Sequence, residues 1–345
     1  MIRSFLTIDD PRRPQCHAST VSPDGRVAAW FAGTHEGTPD NRIVVWCDGA
    51  TSVLDTGRDV AHWNPVLADG PDGLLWLFCK VGPRISEWVT LVTRSADGGT
   101  TWEPARELVP GDTSGGRGPV RTPPLRTAAG LWLAGGSVER WGAPARWEPF
   151  VDVFPDGVTW ERAPIAVDHA ALRGAGHIQP ALWAGRSGPV ALMRSTEGRA
   201  HRSTSPDGRA WTPAEPTGLP NNNSGLAAVA LPSGRVACVH NPSADDWGER
   251  CPLIVSLSDD DGLTWRAALV VEDGATPVDP SVPHLLDAHA RPGFAPGDTG
   301  VVTSGVAEYS YPTAVVDGTD LVVTYTWQRR GIVLARLPIA TIEDA

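Results

Sequence analysis

The chain has 345 residues and a formal net charge of −11 at pH 7, and it contains 37 glycines, 32 prolines and 15 tryptophans. An acidic surface does not attract nucleic acid or an anionic membrane, so we expect neither as a partner. Glycine and proline separate short apolar segments, and no long stretch has helical periodicity, which predicts an all-β protein.

The first predicted elements are six hairpins, in each of which an apolar run follows a small turn. Their turn glycines are Gly25, Gly73, Gly130, Gly188, Gly234 and Gly318. Six hairpins predict a six-bladed β-propeller that forms a single domain over residues 1–345. The N-terminal segment SFLTI is predicted to add the outer strand of the last blade, whose other strands come from the C-terminus, and so to close the ring.

A second repeated element is the Asp-box phrase SADGGTTW at residues 95–102, which returns as SDDDGLTW at residues 258–265. Two degenerate copies of the phrase end at Trp160 and Trp211. The tryptophans of the four copies recur at intervals of 51 to 58 residues, about the length of a four-stranded blade. An aspartate next to glycine is typical of a tight turn, so we predict a structural role for the phrase.

One interval departs from this period, because a proline- and glycine-rich insertion at about residues 276–305 separates the last two hairpins. We favour the interpretation that this insertion forms a lid over the axis, and a surface loop is the alternative.

The N-terminus lacks the features of a secretion signal and no apolar run reaches membrane length, which predicts a cytoplasmic protein. No spacing of histidines or cysteines indicates a metal site, and we expect no cofactor.

Polar residues gather where the first strand of each predicted blade begins and where the second strand ends. These positions lie on one face around the axis, because the turn that joins the two strands lies on the other. Basic groups there predict an anionic ligand such as a carboxylated sugar or oligosaccharide, although a structural network with acids such as Glu87 and Glu139 is the alternative. The candidate ligand-binding residues are Lys80, Arg121, Gln179, Arg194, Asn223, Asn241 and Arg329. Trp63, Trp141 and Trp327 could offer a face to a sugar ring.

Five segments carry a resemblance to a known family: QCHASTVSPDGRVAAWFAGTHEG, HWNPVLADGPDGLLWLFCKVG, HIQPALW, NNNSGLAAVALPSGR and SYPTAVVDGTDLVVTYTWQRR. Through them the chain resembles the BNR-repeat-like (Asp-box) branch of the sialidase superfamily over nearly its whole length. The resemblance implies a six-bladed propeller with its site at the axis. Sialidases grip the substrate carboxylate with three arginines, attack with a tyrosine activated by a glutamate, and use an aspartate as acid and base.

By this resemblance, Tyr311 is the expected nucleophile and Tyr309 the weaker candidate. Glu308 is then expected to activate the tyrosine, and Asp40 to act as the acid and base. The resemblance also implies Arg121, Arg194 and Arg329 as the clamp. Sialidases carry an Arg-Ile-Pro motif entering the first blade, where this chain has Cys16, His17 and Ala18.

Three functions therefore stay open. Hydrolysis of a glycoside of an acidic sugar comes first. The second is elimination by a uronic-acid lyase that uses His17, His62, Arg121 and Tyr311. The third is tailoring of a small intracellular metabolite, or binding of a sugar acid without catalysis.

Overall fold

A computed structural model describes residues 1–155, 157, 159–276, 278 and 308–345. Within this part of the chain there are six four-stranded antiparallel sheets and one short α-helix, α1 (Ile339–Glu343). The six-bladed propeller predicted from the hairpins is confirmed. Apart from Thr276 and Val278, the predicted insertion at residues 276–305 lies outside the described residues. No helix in the described ranges is long and apolar enough to cross a membrane.

The chain begins with β1 (Ile2–Ile8), and the next strands form blades 1 to 3 in sequence order. Blade 1 consists of β2 (Gln15–Val21), β3 (Val27–Gly33), β4 (Arg42–Cys47) and β5 (Ala50–Val53). Blade 2 consists of β6 (His62–Asp69), β7 (Leu75–Val81), β8 (Val89–Ser95) and β9 (Arg106–Glu107), with a single 3-10 turn at Ile85–Glu87. Blade 3 consists of β10 (Leu125–Arg126), β11 (Trp132–Arg140), β12 (Arg146–Phe154) and β13 (Glu161–Pro164).

Blades 4 and 5 repeat the same order, and blade 6 combines both ends of the chain. Blade 4 consists of β14 (His177–Gly185), β15 (Gly188–Ser195), β16 (Arg199–Thr204) and β17 (Glu215–Pro220). Blade 5 consists of β18 (Ala227–Ala230), β19 (Val236–His240), β20 (Leu253–Ser258) and β21 (Arg266–Glu272). Blade 6 consists of β22 (Tyr309–Asp317), β23 (Asp320–Trp327), β24 (Gly331–Pro338) and β1.

The ring closes through the N-terminal strand, as the sequence predicts. Strand β1 pairs antiparallel with β24, from Ile2 opposite Arg336 to Ile8 opposite Gly331. An ion pair of 2.8 Å from Arg3 to Glu272 also joins β1 to blade 5. The pairing covers the outer edge of β24, which would otherwise expose unpaired backbone groups.

The apolar core lies between neighbouring blades. Leu257 of blade 5 and Tyr325 of blade 6 belong to one buried cluster, and Phe31 of blade 1 and Leu67 of blade 2 belong to another. Each fully buried side chain of this size contributes about 1.5–3 kcal/mol to the stability of the fold. Packing between sheets therefore holds the blades in a ring and brings the inner strands to a common axis.

The repeated aspartate phrase forms turns between the third and fourth strands. Asp97 accepts hydrogen bonds from the Ser95 hydroxyl and from the Thr101 backbone amide, both at 2.8 Å. Asp260 accepts the same pair of bonds from Ser258 and Thr264, again at 2.8 Å. These two turns join the third and fourth strands of blades 2 and 5, in keeping with the structural role predicted for the phrase.

Candidate functional site

One cavity of about 610 Å³ opens on the face where the first strands begin and the second strands end. Among the described residues, its charged lining groups are Glu36, Glu139, Arg194, Arg250 and Arg329. These five residues are far apart in sequence and meet only because the blades surround a common axis.

A β-bulge recurs near the start of the first strand in blades 1, 2, 4 and 6, where pairing with the second strand shifts register. The bulged residues have positive φ: Ala18 (53°), Asn64 (37°), Gln179 (58°) and Tyr311 (51°). This conformation costs a non-glycine residue about 1–3 kcal/mol and re-aims its side chain. Asn64, Gln179 and Tyr311 all line the cavity, so the bulges present them to the axis.

Tyr311 is held at both ends by arginines. Arg121 donates a hydrogen bond to its backbone carbonyl, and Arg194 donates one to its hydroxyl oxygen at 2.7 Å. The guanidinium carbon of Arg250 lies 5.4 Å from the centre of the Tyr311 ring. A guanidinium can only donate, so the phenol oxygen accepts from Arg194 and the phenol proton is free to point at a ligand.

Glu308 is the buried counterion of two arginines. One of its oxygens accepts hydrogen bonds from Arg250 at 3.0 Å, from Arg329 at 2.9 Å and from the Ser310 hydroxyl at 2.7 Å. Burial alone would raise the pKa of Glu308, but the two guanidinium groups lower it to about 2. Arg329 also pairs with Glu36 at 2.5 Å. Glu308 is therefore an ionised group that anchors the arginines.

Arg121 and Arg194 are buried without an ion-pair partner among the described residues. Arg121 donates to the Ser19 carbonyl and to the Thr313 hydroxyl, both at 2.9 Å. Arg194 donates to the side-chain oxygen of Asn223 at 3.0 Å. Burial lowers the pKa of Arg121 to about 9, which leaves it protonated at neutral pH. Buried positive charge without a counterion is costly, so this arrangement favours an anionic ligand.

A third carboxyl group, that of Glu139, lies in the cavity wall near the end of β11. Its side chain belongs to a residue only 4% exposed, and this burial raises the pKa of Glu139 to about 7, against the opposing effects of Arg194 and a hydrogen bond with Trp141. At neutral pH the group is therefore divided between its acid and carboxylate forms and can donate a proton.

Tryptophans supply the apolar part of the lining. Trp141 lies against Trp147, with ring centres 5.1 Å apart, and Trp247 lies 6.3 Å from Trp141. Trp63 and Trp88 form a second pair at 5.5 Å. Trp141 is 51% exposed, and such indole faces suit the apolar side of a sugar ring. Trp63 and Trp141 thus line the cavity, as predicted from the sequence.

Trp327 and Tyr309 do not reach the cavity. Trp327 is 1% exposed and packs edge-on against Phe5 at 5.2 Å. Tyr309 is fully buried in the cluster between blades 5 and 6. The expectation that either residue faces a ligand is wrong, because the bulge after Ser310 turns Tyr311 alone toward the axis.

The two acids assigned by resemblance also have other roles. Asp40 lies outside the cavity lining, where its carboxylate accepts hydrogen bonds from the Thr34 amide at 2.8 Å and from the Thr38 hydroxyl. Although its partial burial would raise the pKa, these bonds lower the pKa of Asp40, so it holds a proton poorly. Glu308 contacts arginines rather than the hydroxyl of Tyr311, which contradicts its assignment as an activating base.

Neither predicted histidine lines the cavity. The ring of His17 lies 4.2 Å from that of Tyr311, and its Nδ1 lies 3.1 Å from the Thr326 hydroxyl. Burial and four surrounding arginines lower the pKa of His17 well below its usual value, so the ring is neutral. The Nε2 of His62 lies 2.6 Å from the hydroxyl of Thr56 in the loop between β5 and β6, so its assignment to the cavity is wrong.

Lys80 and Asn241 are structural, contrary to the sequence prediction. Lys80 donates to the Thr90 hydroxyl at 2.8 Å and to the Arg117 carbonyl at 2.7 Å, and burial lowers its pKa to about 7. Asn241 donates to two backbone carbonyls, one of them that of Tyr309 at 2.9 Å. Both side chains are buried, and neither lines the cavity.

The remaining predicted ligand-binding residues divide into two groups. Gln179, Arg194 and Arg329 line the cavity. Arg121 and Asn223 lie one layer behind it, where they orient Tyr311 and Arg194.

Two kinds of lining residue were missed by the sequence reasoning. Glu139 lies near the end of β11, a second strand, so the rule that predicted site residues in the other blades also applies to it in blade 3. The loops between second and third strands also reach this face, and they were not considered; they supply Glu36, Trp88, Trp247 and Arg250. The signal was available, because those loops begin where the second strands end.

The sequence matches the family model of the BNR repeat-like domain over residues 26–323. The chain belongs to this family. The resemblance to the BNR-repeat branch of the sialidase superfamily is thereby confirmed. No curated protein matches this BNR repeat-like protein.

Solved structures with the same fold have low sequence identity. A Hadza microbial sialidase is 12% identical with a TM-score of 0.71, covering 99% of this chain and 69% of the other. A Trypanosoma rangeli sialidase is 14% identical with a TM-score of 0.65, covering 96% and 56% respectively. A Penicillium chrysogenum alpha-L-arabinanase complexed with arabinobiose is 12% identical with a TM-score of 0.63, covering 99% of both chains. At such identities the likeness shows the fold alone.

Proposed function

We propose that this BNR repeat-like protein is a glycosidase that hydrolyses a glycoside of a carboxylated sugar in the cavity at the propeller axis. The observation that carries the proposal is the set of buried guanidinium groups around Tyr311. Two of them, Arg121 and Arg194, have no carboxylate within ion-pair distance among the described residues. The protein as a whole is acidic, so a local excess of positive charge at the axis favours binding of an anion at this site.

Arg194 and Arg250 are the groups that would bind the carboxylate. Both line the cavity, and a guanidinium matches a carboxylate in a two-pronged hydrogen bond. Arg329 already pairs with Glu308 and Glu36, so its positive charge is balanced and it is the weaker candidate for binding the carboxylate. A carboxylate bound here would lie beside the hydroxyl of Tyr311.

Tyr311 is the group that would act on the anomeric carbon. Glycoside cleavage passes through an oxocarbenium-like state that needs an electron-rich oxygen on one side of the sugar. The hydroxyl of Tyr311 is oriented by Arg194 and faces a cavity whose tryptophans could hold the sugar ring. The solved sialidases and the arabinanase that share the fold are glycosidases, which supports the same reaction class here.

The test is a panel of fluorogenic glycosides of sialic acid, glucuronic acid and galacturonic acid, with arabinoside and galactoside as uncharged controls. We expect release of the fluorophore from at least one acidic glycoside and none from the controls. Uronic-acid oligomers are incubated with the protein in parallel. Ultraviolet absorption by an unsaturated product would show that the reaction is elimination and not hydrolysis. If no substrate reacts while sugar acids raise the melting temperature, the protein is a binder.

A further inference from the structure

We infer that Glu139 is the proton donor of the proposed hydrolysis, in place of the aspartate that the resemblance implied at Asp40. The inference rests on the proposed function, because a proton donor needs a leaving group to receive its proton. From the sequence, Glu139 is expected only in a structural network with basic groups, whereas its position in the cavity favours a catalytic role.

Glu139 lies in the wall of the cavity. It lines the same cavity as Tyr311, and its backbone pairs with that of Trp147 across the β11–β12 hairpin. A hydrogen bond with Trp141 further fixes its carboxyl group. The wall around it therefore places a carboxyl group and two indole faces at one side of the bound ligand, where a leaving group could lie.

The other carboxyl groups near the axis are already engaged by neighbouring residues. Glu36 pairs with Arg329, and Glu308 pairs with Arg250 and Arg329. Asp40 accepts hydrogen bonds from Thr34 and Thr38 outside the cavity lining. In the described ranges, Glu139 is the cavity-lining carboxyl that forms no ion pair.

The charged groups that face Glu139 explain why it can hold a proton. Burial in the wall is the main effect and raises its pKa to about 7, Arg194 on β15 opposes this, and Glu36 on the loop after β3 adds to it. A general acid works best when its pKa lies near the operating pH. The environment resembles that of a catalytic carboxyl held against tryptophan in an apolar wall.

The reaction balances with Glu139 as acid and then as base. As the bond between the anomeric carbon and the leaving oxygen breaks, that oxygen keeps the bonding electron pair and takes the proton of Glu139. The positive charge on the sugar is stabilised by the oxygen of Tyr311. Water then adds to the anomeric carbon and gives its proton to the Glu139 carboxylate, so the net change is hydrolysis and the acid is restored.

The experiment compares two glycosides of the same acidic sugar, one with a nitrophenyl leaving group and one with an alkyl leaving group. A nitrophenolate leaves without help, whereas an alkoxide needs a proton. In Glu139→Gln we expect turnover of the alkyl glycoside to fall by about 10²–10⁴-fold, with a far smaller loss on the nitrophenyl glycoside. In the wild type, turnover of the alkyl glycoside should decline as the pH rises through about 7, and this decline should vanish in Glu139→Gln.

The matched control is Glu148→Gln, which changes an exposed glutamate on the neighbouring strand β12. Asp40→Asn is tested beside it. Both variants should keep the wild-type rate on both substrates, and unchanged melting temperatures show that the three variants fold.

An active wild type whose Glu139→Gln variant keeps the alkyl rate would overturn the role of Glu139 and leave the proposed function standing. A selective loss of the alkyl rate in Asp40→Asn would do the same. A wild type that is inert on every acidic glycoside would overturn the hydrolytic function and this role together.

Discussion

Arg194 connects three blades through one guanidinium group. Its Nη1 donates to the Tyr311 hydroxyl of blade 6 at 2.7 Å, and its Nε donates to Asn223 at the start of blade 5 at 3.0 Å. Asn223 is held in turn by its bond to Asp246, also at 3.0 Å. The guanidinium is thus positioned before any ligand arrives, which reduces the entropy cost of binding.

Replacing Arg194 with alanine should weaken binding of an acidic sugar while leaving the propeller folded. A hydrogen bond to a charged group contributes about 1.5–3 kcal/mol, which corresponds to roughly 10- to 150-fold in the dissociation constant. Calorimetric titration with sialic acid and with glucuronic acid measures the change. Arg186→Ala is the control, since Arg186 is exposed at the opposite end of the same blade. Equal losses in both variants would count against Arg194 as a ligand-binding residue.

Replacing Tyr311 with phenylalanine should lower kcat on acidic glycosides by about 10²-fold or more, because the variant lacks the oxygen that stabilises the sugar cation. Tyr309→Phe is the matched control: Tyr309 lies in the core between blades 5 and 6, so its change should affect stability alone. Steady-state kinetics on the two variants separates the tyrosines. Full activity in Tyr311→Phe would remove the tyrosine from the mechanism.

Replacing Glu308 with glutamine should destabilise the fold by about 3–5 kcal/mol at pH 7, because it leaves Arg250 and Arg329 without their shared counterion. The folded-state pKa of Glu308 is about 2, below its ordinary value of 4.5. Its stabilisation is therefore complete above about pH 4.5 and is lost as the pH falls through 2. Urea unfolding at pH 7, 4 and 3 should show the gap between wild type and variant narrowing. A variant that is fully stable yet inactive would restore the role of activating base.

Replacing Lys80 with methionine should leave sugar binding unchanged, since Lys80 bonds only within blade 2 and its neighbouring loop. Burial lowers the folded-state pKa of Lys80 to about 7 from an ordinary 10.5, so the unfolded chain binds more protons between these values. The free energy of unfolding of the wild type should therefore rise, relative to the variant, by up to about 1.4 kcal/mol per pH unit from pH 7 to 10. Unfolding curves at pH 7, 8.5 and 9.5 measure this difference, and a parallel pH dependence in both proteins would argue against it.

The blade number, the ring closure and the face that carries the cavity were all predictable from the sequence. Turn glycines such as Gly25 and Gly318 mark hairpins by a local rule, because positive φ at a tight turn requires no knowledge of the rest of the chain. The same local rule placed Gln179, Arg194 and Tyr311 near the axis.

Side-chain direction was harder to predict than backbone position. Lys80 and Arg194 both lie near the end of a second strand, but Lys80 is engaged by hydrogen bonds in and next to blade 2, whereas Arg194 lines the cavity. Tyr309 and Tyr311 would share a side of a regular strand, and a bulge separates them. The direction of a side chain depends on the register of strand pairing and on which buried charged groups form ion pairs. Neither property can be predicted from one segment of the sequence alone.

Calorimetric titration of the wild type with an acidic sugar and with its carboxamide shows whether the arginines around Tyr311 bind a carboxylate, because the two ligands differ only in that negative charge. With sialic acid and glucuronic acid each compared with its amide, we expect at least one acid to bind and its amide to bind at least tenfold more weakly. If the amides bind as tightly as the acids, the arginines around Tyr311 do not form a carboxylate site.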